Sequence, residues 1–183
     1  MSVFNKLLQL FLVHQNAVIF IPFVSSIFII FFIFFYQYVF PKKKIHSVLL
    51  LILISIPPVL NIFRIGTYQS GDLSNHTEYL RAFYGNLDTG ILFPRWAADF
   101  CAGNGCPTFM FSYILPYYLG SFFHMLNFSY LDSIKIVYAC SFIGSGIAMY
   151  FFIRDELDER AGFIAAIFYL FSPYHLIDLH FRG

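Results

Sequence analysis

AVIFIPFVSSIFIIFFIFFYQYVF, residues 17–40, contains no charged side chain. A helix needs about 20 predominantly apolar residues to cross the hydrocarbon core of a bilayer. Because the stretch is too long for the apolar core of a cleaved signal peptide, we predict a retained membrane anchor. Pro41 and Lys42–Lys44 follow it and predict a basic turn on the cytoplasmic side. Residues 1–44 therefore form a predicted anchor helix with a cytoplasmic turn.

The overall composition agrees with a membrane environment. Hydrophobic residues make up 59% of the chain and charged residues only 11%, whereas a soluble domain carries about 25% charged residues. A soluble globular fold is therefore not expected, and the bilayer is the first predicted partner. The net charge of +1 gives no reason to expect nucleic acid as a partner. The predicted fold class is all-α integral membrane.

Four stretches have the length and apolar character of transmembrane helices. After 17–40 come His46–Phe63, Leu131–Ile153 and Ala161–Ile177. Pro57-Pro58 should bend or end the second of them, because proline removes a backbone donor and clashes with the preceding turn. We therefore predict about four transmembrane helices in the cytoplasmic membrane.

The segment Phe109–Phe128 has two possible placements. Pro116 and a cluster of tyrosines favour an interfacial or re-entrant segment, and a fifth span is the alternative. The basic residues Lys42–Lys44 and the pair Arg154 and Arg160 mark two short connections. Four spans put both connections in the cytoplasm, whereas five would separate them. This parity predicts that residues 64–130 form a large extracytoplasmic loop.

Residues 45–183 are predicted to be the main membrane domain. The chain stops immediately after the last predicted span, and four helices enclose a large polar loop poorly. We therefore expect this domain to be the N-terminal part of a larger helical bundle, with the remainder of a longer chain as its partner.

Within the predicted loop, residues 74–87 have helical periodicity. Leu80, Phe83 and Leu87 fall on one face of that helix, while Glu78 and Arg81 fall on the other. A helix with this pattern is expected to lie on a membrane surface.

Asp72 stands just before this helix and has two possible roles. It is a helix cap, as Asp before a helix commonly is, or it is a general base that removes a proton from an incoming hydroxyl. His76 follows four residues later and shares its face if the first turn is helical. His76 and Glu78 are candidate substrate-binding residues. Together with Asp72 they do not match a specific metal-ligand spacing, so no metal and no cofactor are predicted.

The second half of the loop carries a cation, an aromatic residue and two cysteines. Arg95 is a candidate for holding a phosphate and Trp96 for lining the site, and anchoring to lipid headgroups is equally compatible with both. Cys101 and Cys106 are five residues apart. A disulfide is possible in an oxidising compartment, but two free thiols are the preferred prediction. Near the end of the chain, His180 and Arg182 are candidate binding residues, with solvation of an emerging helix end as the alternative.

Several motifs resemble a known group of bacterial polytopic membrane proteins, the "6-pyruvoyl-tetrahydropterin synthase-related" membrane-domain family. The similarity extends over roughly residues 45–183. It rests on GD with the following His at 71–76, GILFPRW at 90–96, GNGCPTFMF at 103–111, ILPYYLG at 114–120 and AAIFYLFSPYHLIDLHFRG at 165–183.

The layout also resembles glycosyltransferases of the GT-C type. These multi-span enzymes transfer sugars from polyprenyl-phosphate carriers, and their first large external loop carries an acidic catalytic residue and helices parallel to the membrane. The resemblance implies that Asp72 is the catalytic acid, and that Arg95 or Arg182 contacts the phosphate of a polyprenyl-phosphate sugar donor. The alternative is a non-enzymatic membrane protein, a transporter component or a scaffold.

Overall fold

The computed structural model describes residues 15–39, 46–63, 66–68 and 70–182. The regular elements of these residues are all helices, with one isolated bridge between Ala97 and Cys106 and no strand. The all-α class is therefore confirmed for this part of the chain. The basic turn predicted at Lys42–Lys44 lies outside the described residues. The helices are α1 Gln15–Val39, α2 Ser47–Leu60, α3 Leu73–Asp88, α4 Thr108–Phe111, α5 Leu115–Met125, α6 Tyr130–Glu156, α7 Glu159–Leu170 and α8 Pro173–Ile177.

The described residues divide into two compact units. The first contains residues 15–39, 46–63 and 141–181, and the second contains 66–68, 70–140 and residue 182. Helix α6 contributes its first part to the second unit and its remainder to the first. Residues 64–130, predicted as one large loop, thus belong mostly to a folded helical unit with a core of its own.

In the first unit, α1 packs against α2, and the prolines of α2 leave a backbone acceptor that α1 satisfies. Pro57 and Pro58 were predicted to bend or end this helix; they lie inside α2, which continues to Leu60, so they do not end it. Pro58 has no N–H to donate to the carbonyl of Ile54, four residues earlier. The buried Ser26 hydroxyl of α1 donates to that carbonyl at 3.3 Å.

Helices α6 and α7 approach each other closely because glycines line their contact. A Cβ at Gly162 would stand 2.7 Å from the carbonyl oxygen of Tyr150, and a Cβ at Gly146 would stand 2.7 Å from the side chain of Leu170. Asp158 begins α7, where its carboxylate accepts a hydrogen bond of 2.8 Å from the N–H of Ala161. Small residues that admit a neighbouring helix are common where membrane helices pack.

Within the described ranges, one helix is long and apolar enough to cross a bilayer: the 27-residue α6. The fourth predicted span is broken. Helix α7 and the segment Pro173–Arg182 are long and apolar enough to cross a bilayer only when taken together, and the angle between them is 47°. Pro173 and the Ser172 hydroxyl, which accepts from the N–H of His175, start a new helix at the bend. Two shorter apolar helical stretches also lie in the described residues: Val24–Ile33, which is part of the 25-residue α1, and Ser47–Phe63. By length and composition the described residues thus offer one or two spans, against the four predicted.

The core of the second unit is built by α3, α5 and the start of α6. The apolar face of α3 was predicted to lie on a membrane surface, but its residues Leu73, Leu80 and Phe83 are buried in this core, together with Tyr117 of α5 and Ile134 of α6. Phe109 to Phe128 forms the short helices α4 and α5, of 4 and 11 residues. Eleven residues of helix extend only about 17 Å, which is too short for a straight span.

Candidate functional site

Asp72 stands at the start of α3 with an exposed carboxylate that does not cap the helix. The N–H of Leu73 donates instead to the Ser70 hydroxyl at 3.3 Å. An oxygen of Asp72 accepts a hydrogen bond of 3.3 Å from the amide of Asn75. Asp72 is the N-cap residue by position, but the interpretation that its side chain caps the helix is wrong, because the Ser70 hydroxyl accepts from the N–H of Leu73 instead. The carboxylate remains exposed and accessible to a ligand.

The backbone at the end of the chain lies directly beside Asp72. The carbonyl of Arg182 accepts a hydrogen bond of 2.8 Å from the Asp72 N–H and one of 3.3 Å from the Ser70 hydroxyl. Two candidates 110 residues apart in sequence are thus neighbours within the second unit. The carbonyl of Arg182 makes both of these contacts, and the residue is exposed.

His76 occupies the next turn of α3 and faces the core of the second unit. The His76 N–H donates to the Asp72 carbonyl at 2.8 Å, so the first turn is helical and the two side chains share a face, as predicted. Burial lowers the pKa of His76, while the negative charge of Asp72 acts to raise it. The burial effect is the larger, so His76 is neutral at pH 7.

Tyrosine side chains surround the His76 ring. Its Nδ1 is 2.8 Å from the hydroxyl of Tyr117, a side chain that is 1% exposed. Burial raises the pKa of Tyr117 well above its usual value of 10, so the phenol keeps its proton. Four ring centroids lie between 6.0 and 6.3 Å from that of His76, namely those of Tyr79, Tyr113, Tyr117 and Tyr138. Sequence reasoning did not select Tyr117.

The pairing of Tyr117 with His76 had only a partial signal in the sequence. Tyr117, Gly120, Ser121 and His124 recur at helical spacing and mark one face of α5 as polar or small. That spacing identifies the face of α5 that packs inward. It does not specify the residue, 41 positions earlier, that Tyr117 contacts.

Glu78 does not join this site. It forms an ion pair of 2.8 Å with Arg81 on the exposed face of α3. Residues two apart on a helix point in different directions, so Glu78 and His76 lie on different faces. An exposed pair of this kind contributes little to stability.

Arg95 and Trp96 lie near the opposite end of α3 from Asp72. The amide of Asn86 donates to the Trp96 carbonyl at 3.0 Å. Asn86 is fourteen residues after Asp72, which corresponds to about 21 Å along a helix. The structure therefore brings Arg182, and not Arg95, to the backbone of Asp72. The Arg95 side chain is exposed.

A disulfide closes the loop beside Trp96. Cys101 and Cys106 are bonded, with Cα atoms 6.0 Å apart, so the preferred prediction of two free thiols is wrong. The N–H groups of Ala97 and Cys106 donate to each other's carbonyls at 2.8 and 3.0 Å. Gly105 has φ +77°, and a Cβ there would collide with the Trp96 indole. Left-handed backbone at Cys101 and Ala102 turns the loop so that the thiols meet.

Two further ionisable side chains are buried. Lys135, at the start of α6, donates a hydrogen bond of 2.7 Å to the Gly66 carbonyl in the second unit. His180 is buried at the end of the first unit. Among the described residues, no group of three or more His, Cys, Asp or Glu side chains is arranged to hold a metal ion.

Comparisons with protein-family models, with curated proteins and with solved structures found no match for this chain.

Proposed function

We propose that the protein is an integral membrane glycosyltransferase, similar to the GT-C type, that uses a polyprenyl-phosphate-linked sugar as donor. Supporting this proposal, an exposed carboxylate, Asp72, adjoins the backbone of Arg182. A base and a cation in the same neighbourhood are what transfer of a sugar from a phosphate carrier requires. The contact between the Asp72 N–H and the Arg182 carbonyl is the observation on which the assignment depends.

In the proposed reaction, Asp72 accepts a proton from the acceptor hydroxyl. The hydroxyl oxygen attacks the anomeric carbon of the sugar as the bond from that carbon to the carrier phosphate breaks. The electron pair of the broken bond stays on the phosphate, and the Arg182 guanidinium stabilises that charge by paired hydrogen bonds. Arg95 lies near the other end of α3, and we assign it to the lipid headgroups instead.

The proposed placement puts residues 64–130 on the extracytoplasmic face, between transmembrane helices. Helix α6, which is long and apolar enough to span a bilayer, supports insertion in a membrane, and the choice of side follows from the basic connections in the sequence. A second support is α5, whose outward face is apolar and which ends five residues before α6 begins. A short connection keeps α5 near the surface of any bilayer that α6 crosses. The family with the "6-pyruvoyl-tetrahydropterin synthase-related" label remains the proposed relationship.

Transfer of labelled sugar by the protein in proteoliposomes tests the proposal. Loss of a general base reduces rate by about 10²–10⁴-fold, which is the effect we expect for Asp72→Asn. The matched control is Asp88→Asn, at the exposed other end of α3, which should stay within about twofold. Arg182→Ala keeps the backbone contact, so a loss of transfer reports on its guanidinium. Equal transfer by the wild type and Asp72→Asn would contradict the assigned base.

The second candidate is a non-enzymatic scaffold or transporter component. Exposed apolar side chains on α5 and at Ile91–Phe93 favour it, because such patches also dock partners. On this alternative, Asp72→Asn leaves the cellular function intact, and substitutions on the outer face of α5 abolish it.

A further inference from the structure

The hydrogen bond between Tyr117 and His76 determines where a proton resides. It joins the phenol oxygen to Nδ1 of the imidazole over 2.8 Å, and the phenol is almost completely buried. One of these two atoms must supply the hydrogen and the other must accept it. The two directions differ in how many buried donors and acceptors they leave without a partner.

In one of the two directions, His76 Nδ1 carries the hydrogen and the Tyr117 phenol oxygen accepts it. The Tyr117 hydroxyl would then need a second acceptor for its own proton. Within the part of the chain that the structure describes, that hydroxyl forms its hydrogen bond with His76. A buried hydroxyl proton without an acceptor is costly, so this direction is disfavoured. In the reverse direction the phenol donates its proton to Nδ1, so the buried hydroxyl proton has an acceptor.

The groups facing His76 from each neighbouring element keep the ring neutral. Asp72 precedes α3 and Tyr79 lies on it, Tyr113 precedes α5, Tyr117 lies on α5 and Tyr138 lies on α6. Among these only Asp72 is charged, and its effect on the pKa of His76 is smaller than that of burial. A neutral imidazole with Nδ1 accepting must carry its hydrogen on Nε2.

We infer that Tyr117 is a positioning residue that holds His76 in the Nε2–H tautomer, and that this N–H donates to a hydroxyl oxygen of the ligand beside Asp72. If the proposed function holds, the ligand hydroxyl donates a hydrogen bond to the Asp72 carboxylate and accepts one from His76 Nε2. Two opposed hydrogen bonds orient such a hydroxyl with its lone pair toward the reacting carbon. The pair therefore suits a neutral hydroxyl, because a single hydroxyl oxygen both donates and accepts.

Nitrogen-15 NMR of the histidine side chains tests the tautomer in the full chain, in nanodiscs at pH 7.5. The chain has six histidines, so His76→Gln identifies the His76 signals. We expect a hydrogen on Nε2 and a bare Nδ1 in the wild type, and a mixture of tautomers in Tyr117→Phe. The control Tyr113→Phe removes a hydroxyl from a ring equally near His76 without touching the hydrogen bond, and it should leave the signals unchanged.

Two results would overturn the inference: a hydrogen on Nδ1 in the wild type, or wild-type signals in Tyr117→Phe. Neither depends on catalysis, so a failed sugar-transfer assay with an Nε2–H tautomer would refute the proposed function and leave the tautomer standing. In the transfer assay, the amide nitrogen of His76→Gln can replace Nε2, whereas His76→Asn reaches only the Nδ1 position. We expect about tenfold higher kcat/KM for Gln than for Asn, the value of one hydrogen bond. Equal values would contradict donation to the ligand.

Discussion

Helices α3 and α5 pack against each other in the second unit but have opposite polarity. Helix α3 buries apolar residues and exposes charged ones, whereas α5 buries polar or small residues and exposes apolar ones. The buried and exposed sets of α3 are Leu73, Leu80 and Phe83 against Asn75, Glu78 and Arg81. Those of α5 are Tyr117, Gly120 and Ser121 against Leu115, Leu119 and Phe122.

The difference favours different solvents for the outer faces of the two helices. The outer face of α3 suits water, where charged side chains are stable. The outer face of α5 resembles a helix that lies in the membrane interface with its apolar side in lipid. Residues 108–129 contain no Asp, Glu, Lys or Arg. We therefore propose that the second unit contacts the bilayer through α5 and presents α3 to water.

The apolar surface continues beyond α5. Ile91–Phe93 is exposed, and its Leu92 carbonyl accepts a hydrogen bond of 2.6 Å from the Tyr118 hydroxyl of α5. The bond holds this segment beside the helix, so both belong to one surface.

The largest expected effect contrasts two phenylalanines. Phe83, on the inner face of α3, is 0% exposed, whereas Phe122, on the outer face of α5, is 57% exposed. Phe83→Ala should lower the free energy of unfolding by about 3–5 kcal/mol through the cavity it leaves. Phe122→Ala should change it by less than about 0.5 kcal/mol. Thermal unfolding in detergent measures both, and similar losses would mean that α5 does not expose this face.

A pair of glycines probes the contact between the helices. A Cβ at Gly120 of α5 would stand 3.0 Å from the terminal methyl groups of Leu80, whereas one at Gly85 of α3 meets nothing within 4 Å. Gly120→Ala should lower the free energy of unfolding by about 1–3 kcal/mol. Gly85→Ala should raise it by about 0.5–1 kcal/mol through helix propensity. If Gly120→Ala were as stabilising as Gly85→Ala, the packing of α5 against Leu80 would be incorrect.

The sequence predicted α3 well because its periodicity is local. Residues 74–87 were expected to be helical and the helix spans Leu73–Asp88, with Leu80 and Phe83 facing inward. Predictions that depended on one residue type were weaker. Asp72 was interpreted as a cap, but Ser70, two residues earlier, satisfies the N–H of Leu73.

Pairings between distant segments could not be derived from the sequence. The disulfide depends on left-handed backbone at Cys101 and Ala102, which no rule of composition requires. The contact between Asp72 and Arg182 depends on the path of the whole chain. The continuation of α2 through its prolines is accompanied by a donor from α1, Ser26. Each of these is set by tertiary structure.

The smallest expected effect is a pH dependence of stability. Because burial lowers the pKa of His76 in the folded state, the unfolded state binds the proton more readily. The contribution of the neutral His76 ring to the free energy of unfolding should be fully present above the unfolded pKa of about 6.5. It should decrease as the pH falls below that value. His76→Gln should reduce the difference in melting temperature between pH 7.5 and pH 5. An unchanged difference would mean that His76 is not buried as a neutral ring.

The proposal that the outer face of α5 contacts lipid and the outer face of α3 contacts water is tested most directly by quenching of tryptophan fluorescence. The chain has one tryptophan, so Trp96→Phe gives a background in which Phe122→Trp or Glu78→Trp carries the only signal. In proteoliposomes, we predict that brominated acyl chains quench Trp at position 122 and aqueous iodide does not. Position 78 should show the reverse. Iodide quenching at position 122, without quenching by brominated lipid, would contradict the placement of α5 in the bilayer.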